Sequence, residues 1–155
     1  MRHFVTRWVT GLSFLLGLVL FSSTPALAQV DGGIRGGISV NPDQFYFGGH
    51  LETSPLLDRL SFRPNVEVGL GDDGMLIAAN AEFVYKFTTR RAWNLYAGAG
   101  PALNIFMPEG ADDSNSEPGF NILVGAEQRR GLFFEFKIGV LDSPDLKFGV
   151  GYTWR

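Results

Sequence analysis

Residues 60–87 read LSFRPNVEVGL, then GDDG, then MLIAANAEFVYKF. In the first arm Leu60, Phe62, Pro64, Val66, Val68 and Leu70 are apolar. Between them Ser61, Arg63, Asn65, Glu67 and Gly69 are polar or lack a side chain. A period of two belongs to a strand with two unlike faces. Past the Gly71-Asp72-Asp73-Gly74 turn the parity reverses, and Met75, Ile77, Ala79, Ala81, Phe83, Tyr85 and Phe87 carry the apolar side. Pairing Leu70 with Met75 returns both apolar sets to one face, so the register is self-consistent. That register sets Arg63 opposite Glu82 and Asn65 opposite Asn80, and it predicts an Arg63–Glu82 ion pair. One face of the hairpin is greasy and the other charged. What the chain does turns on which face meets water.

The same period recurs beyond the hairpin. With turn residues between the runs, it predicts strands near 33–40, 43–53, 60–70, 75–88, 93–106, 119–128, 132–141 and 146–154, and no helix. The chain of 155 residues has no cysteine, so no disulfide framework holds it, and its length suits one domain. Residues 1–28 stand apart. Arg2, His3 and Arg7 form a basic start, Trp8 to Phe21 is apolar, and Ala26-Leu27-Ala28 is a small-x-small cleavage site. This is the pattern of a cleavable signal peptide, leaving 29–155 as the mature domain.

Eight alternating strands suit two architectures. A soluble barrel or sandwich would bury the greasy face. An outer-membrane barrel would turn that face to lipid and fill its lumen with the polar one. Glycines decide between them. A tight turn at 141–145 would set Lys137 against Gly149, Glu135 against Gly151 and Lys147 against Gly139. Glu82 would likewise meet Gly98, and Asn80 meet Gly100. Glycine weakens a strand unless something must approach closely, and large against small suits the inside of an eight-stranded barrel. The polar face also balances Glu52, Glu67, Glu82, Glu127 and Glu135 against Arg35, Arg63, Lys86, Lys137 and Lys147. A lumen short of water needs that balance, because a buried unpaired charge costs several kcal/mol. These ten residues are the expected lumen network. Phe62, Val66, Val68, Ile77, Phe83, Phe87, Leu95, Phe134, Phe136, Phe148, Val150 and Trp154 are expected to face lipid.

Loop charge is sorted as well. If the first strand runs outward, the outer connections 41–43, 71–74, 107–118 and 141–145 carry only acidic charges. The inner turns hold Arg59, Arg90, Arg91, Arg129 and Arg130 against Asp58. Phe62, Tyr85, Phe87, Trp93, Tyr152 and Trp154 cluster near inner strand ends, where an aromatic girdle would lie. Pro64 has no N–H for a ladder, so a bulge or a place near the inner interface is expected there.

With these residues in view, the mature chain resembles the small Gram-negative outer-membrane β-barrel proteins, the OmpA- and OmpX-like group. The likeness rests on the signal peptide, the eight amphipathic strands and the closing FGVGYTW, similar to that family's C-terminal assembly signal. Here Arg155 follows the usual terminal aromatic. The resemblance implies an eight-stranded antiparallel up-and-down transmembrane barrel in the cell outer membrane. It also implies contact with lipid, lipopolysaccharide and the outer-membrane assembly machinery, and a monomer. Only one outer loop is long, which sets the chain apart from family members with several long adhesive loops.

Little else carries chemistry. His50 is the only histidine after residue 28, and its parity places it on the polar face with Gln44, Tyr46 and Glu52. Some eight-stranded barrels modify lipid A with a histidine and a serine or acid. No serine partner is evident, so a structural lumen histidine is expected. The acidic loop EGADDSNSE lacks the glycine spacing of a calcium loop, and no phosphate loop, zinc site or basic nucleic-acid surface is present. The expectation is a structural or interacting membrane barrel without cofactor. The alternatives are a secreted soluble barrel with an apolar ligand in its core, and a lipid-modifying enzyme built on His50.

Overall fold

The alternation in 60–87 folds into the expected hairpin, with Leu70 paired to Met75, Arg63 to Glu82 and Asn65 to Asn80. The computed structural model describes residues 29–155 except 88, 90, 91 and 111. The expected signal peptide lies outside these residues, as do Arg90 and Arg91 of one inner turn. The described residues form eight strands: β1 (Val30–Val40), β2 (Gln44–Thr53), β3 (Leu60–Gly71), β4 (Gly74–Phe87), β5 (Trp93–Pro108), β6 (Asn115–Gln128), β7 (Leu132–Leu141) and β8 (Leu146–Trp154). Each is antiparallel to its neighbour, and β8 returns to β1 to close the barrel.

Burial alternates along every strand, and the charged face is the inner one. Arg63 and Glu82 are 0% exposed, whereas Phe45 on the outer wall is 75% exposed. Of the apolar side chains buried inside, Val84, Tyr96, Leu123 and Phe133 form one small cluster, and Tyr46, Leu76, Ala78 and Ala102 are scattered along the lumen. A soluble barrel with an apolar ligand in its core does not fit this interior, whose bulk is charged.

Three local expectations need correction. In β4–β5 the register is shifted by two, so Val84 pairs with Gly98 and Asn80 with Ala102, while Glu82 lies against Gly100. In β7–β8 it is again shifted by two: Lys137 pairs with Lys147, Glu135 with Gly149 and Phe133 with Gly151. The connection 142–145 causes the second shift. It folds over the outer mouth instead of turning tightly, with Ser143 buried and the Gly139 N–H donating to the Asp145 carbonyl at 3.1 Å. Finally, β5 and β6 extend beyond the expected ends, pairing Phe106 with Asn115, so the long outer loop shrinks to 109–114.

Pro64 sits in a regular β3–β4 ladder without a bulge, opposite Ala81. The interruption falls on its other side, where β2–β3 pairing stops at His50–Asn65. The expected bulge is therefore replaced by an unpaired rung toward β2.

Large against small survives the register changes. Tyr46 faces Gly69 and Gly37, Tyr96 faces Gly125, and Arg35 lies between Gly48 and Gly151. At the closing seam Gly37 pairs with Gly149, and a Cβ on Gly37 would run into the Phe148 carbonyl and the Gly149 Cα. A Cβ on Gly49 would meet only the Gly33 carbonyl at 3.6 Å, an ordinary contact. Overpacking costs about 1–3 kcal/mol. Gly37→Ala is therefore expected to lower the thermal midpoint in detergent, and Gly49→Ala to leave it nearly unchanged. Equal tolerance at both sites would contradict the seam.

Candidate functional site

The barrel interior is the site, and alternation builds it. Arg35 of β1, Glu52 of β2, Arg63 and Glu67 of β3, Glu82 of β4, Glu127 of β6, Glu135 and Lys137 of β7 and Lys147 of β8 all point inward and are buried. Lys86 of β4 is partly exposed near the inner opening. All ten expected charged residues thus meet in one place.

Their partners run along the barrel as a continuous chain. Lys147 Nζ lies 2.7 Å from Glu67 Oε2, and Lys137 Nζ donates to Glu67 Oε1 at 3.0 Å and to Glu82 Oε1 at 2.7 Å. Arg35 Nη1 bridges Glu67 at 3.3 Å and Glu135 at 3.0 Å. Arg63 spans Glu135, Glu52 and Glu127, with its Nε donating to Glu52 at 2.8 Å. Lys86 closes the inner end on Glu52 and Glu127.

The expected Arg63–Glu82 ion pair is absent from this chain of contacts. The two residues are opposite in the ladder, yet Glu82 takes Lys137 and Asn65 while Arg63 takes Glu52, Glu127 and Glu135. Ladder register governs Cα positions only. Arg63 turns instead to Glu52 on the neighbouring strand β2 and across the lumen to Glu127 and Glu135, while Lys137 reaches Glu82 from β7.

Sequence reasoning left out several contributors. Arg155 donates to Glu127 at 2.8 Å and lies 3.7 Å from Glu52, adding a sixth base to the five expected. Tyr96 donates to Glu135 at 2.9 Å and takes the Arg63 guanidinium over its ring at 4.8 Å. Phe133 packs under both Arg35 and Arg63, at 5.4 and 5.6 Å. Both rings stand at inward parity in β5 and β7, and that was their one signal. An amide ladder extends the network outward: Asn121 donates to Asn80, Asn80 to Asn65 and Asn65 to Glu82, at 2.8, 2.7 and 2.8 Å. Asn104 holds the outer cap through the Asp142 carbonyl and Ser143 Oγ.

His50 is buried, with Nε2 2.9 Å from Thr153 Oγ1 and its ring edge-on to Phe133. The hydroxyl partner is a threonine, and among the described residues no carboxylate engages Nδ1 to orient the ring. A catalytic triad uses such a group to hold its imidazole. Among the described residues no three His, Cys, Asp or Glu side chains are grouped to hold a metal ion.

The residues expected at lipid stand on the outer wall. Val66, Phe83, Phe87, Leu95, Phe134, Phe136, Phe148, Val150 and Trp154 are exposed, and Phe62, Val68 and Ile77 are half-exposed. Outer aromatics pair with one another: Phe62 with Phe83, Tyr85 with Phe87, Trp93 with Phe134 and Tyr152 with Trp154.

An inside-out barrel of this size has solved counterparts. The N-terminal β-barrel domain of Pseudomonas aeruginosa OprF superposes with a TM-score of 0.61 at 16% identity, covering 83% of this chain and 100% of that chain. Neisserial surface protein A (NspA) superposes with a TM-score of 0.64 at 14% identity, covering 81% of this chain and 94% of that one. Both are outer-membrane barrels of Gram-negative bacteria. The fold is that of an outer-membrane β-barrel. No protein-family model matches the sequence, and no curated protein does. At these identities the likeness bears on the outer-membrane barrel fold alone, so the role rests on the geometry above.

Proposed function

We propose that residues 29–155 span the bacterial outer membrane as a plugged, monomeric barrel with a structural or interacting role, exported by the signal peptide at 1–28. One observation carries this reading: polarity is inverted, with charges buried and aromatic and branched apolar residues outside. In water that outer wall would be an aggregation surface far larger than soluble monomers carry. Against hydrocarbon it is the stable arrangement, and closure leaves no free strand edge. Lipid would cover the wall, lipopolysaccharide would meet the acidic outer turns through divalent cations, and the assembly machinery would read the end of β8.

The lumen contacts support the plug. Six bases and five acids interlock from Lys147 to Arg155, and eight strands leave room for side chains but not for a wide water channel.

The test is gel migration with and without boiling, joined to fractionation. The unboiled protein should migrate apart from the boiled chain and require detergent for extraction. Recovery in a detergent-free periplasmic extract would overturn the membrane reading. In planar bilayers the protein should show little steady conductance, whereas large steady channels would overturn the plug.

A further inference from the structure

A furrow of about 790 Å³ crosses the outer wall from β1 to β5, lined on its outer side by Gly32, Gly49, Pro64, Ala79, Ala81 and Pro101. Residues with little or no side chain make most of it, alongside Leu51, Val66 and Leu103, and the Phe62 and Phe83 rings stand beside it, 5.1 Å apart.

Two breaks in the ladders open into this furrow. Pairing of β2 with β3 ends at His50–Asn65, so Leu51 and Pro64 form no rung. Pairing of β4 with β5 passes from Asn80–Ala102 to Phe83–Ala99, skipping Ala81–Pro101 and the next pair, Glu82–Gly100. The direction of the missing bonds follows from their neighbours. The Val66 carbonyl is directed at Gly48 of β2, so Pro64, two residues earlier, also turns its backbone toward β2. The Ala81 carbonyl is directed at β5 beside Gly100, on the rung where Pro101 has no N–H. The carbonyls of Leu51 and Ala81 therefore each face a proline that cannot donate. Both residues line the furrow, and hydrocarbon supplies no donor in place of the missing one. His50 lines the same stretch of wall, buried, with Nδ1 unpartnered.

An occupant that matches this wall is apolar along its length and brings its own hydrogen-bond donor. We propose that the furrow binds a membrane lipid bearing a hydroxylated acyl chain, whose O–H donates to the free carbonyl of Ala81 or Leu51. A plain acyl chain fills the same space and leaves both acceptors unmatched. The inference rests on the membrane reading above.

The test compares stearate with hydroxystearates carrying the hydroxyl near the head group or at mid-chain. Each is titrated into the folded barrel in a non-ionic detergent, and the shift in thermal midpoint is read. One hydrogen bond's net worth predicts about three- to tenfold tighter binding of a hydroxylated chain. Pro64→Ala with Pro101→Ala restores both N–H donors, and the preference should then vanish. The same double variant should fold at least as well as the parent, which its unboiled gel migration checks. Equal binding of all the acids would overturn the proposal, as would an undiminished preference in the double variant. Dimerisation in detergent that excludes the acids would assign the furrow to a second copy and overturn it too. A barrel that migrates as folded yet shows no hydroxyl preference defeats this inference alone, whereas extraction without detergent defeats the membrane reading beneath it.

Discussion

Glu67→Ala is expected to cause the largest loss of stability among single changes in the lumen. The Glu67 carboxylate meets Lys147 at 2.7 Å, Lys137 at 3.0 Å and Arg35 at 3.3 Å, and among the described residues it is the only anion paired with Lys147. Removing it strands buried positive charge at a cost of about 3–5 kcal/mol. Lys137 keeps Glu82 and Arg35 keeps Glu135, so most of the loss falls on Lys147. Glu67→Gln retains an acceptor oxygen and should fall between alanine and the parent. The measurement is the urea unfolding midpoint in detergent, and a loss below about 1 kcal/mol for Glu67→Ala would contradict the network.

The same reasoning reassigns the partner of Glu82. Lys137→Met with Glu82→Leu should recover part of the loss seen in Glu82→Leu alone, because the cation and its anion leave together. Arg63→Met with Glu82→Leu should show near-additive losses, since Arg63 bonds elsewhere. A double-mutant cycle coupling Arg63 to Glu82 as strongly as Lys137 would contradict the cross-lumen pairing.

The second large effect belongs to the outer wall. Ala79→Arg places a guanidinium where the barrel is exposed, facing hydrocarbon in the membrane reading. Arginine at the midplane of a barrel exterior costs about 2–4 kcal/mol. Ala78 is next in sequence but 1% exposed and opposite Glu67 inside, where a serine hydroxyl finds polar company. Ala79→Arg should therefore reduce the yield of the heat-modifiable folded band in vesicles, and Ala78→Ser should leave it close to normal. Equal yields would show that the two faces are not as different as the burial pattern requires.

Face assignments were legible in the sequence because parity survives every local variation. Leu70 and Met75 flank a turn short enough to leave one register, and Arg63 to Glu82 and Asn65 to Asn80 follow from it. The ten charged residues share the inward parity of their strands, so a period of two sufficed to gather them. In β4–β5 and β7–β8 a slip of two residues preserves every inward and outward assignment. Periodicity therefore cannot detect it. Only the chain's path settles such registers: 142–145 folding onto Asn104 gives Lys137 its place beside Lys147.

Contacts inside the barrel were beyond the sequence for a related reason. Closure brings β2 and β3 within reach of β6 and β7, so Arg63 meets Glu135 and Glu127 although 72 and 64 positions separate them in the chain. Arg155 likewise turns into the inner opening, which no alternation pattern announces at the residue following a strand. By itself the sequence determined which residues face in and which face out, since a pleated strand allows no other alternation. The tertiary structure alone decided which charge meets which, because that depends on closure of the wall and on the reach of long side chains across a narrow lumen.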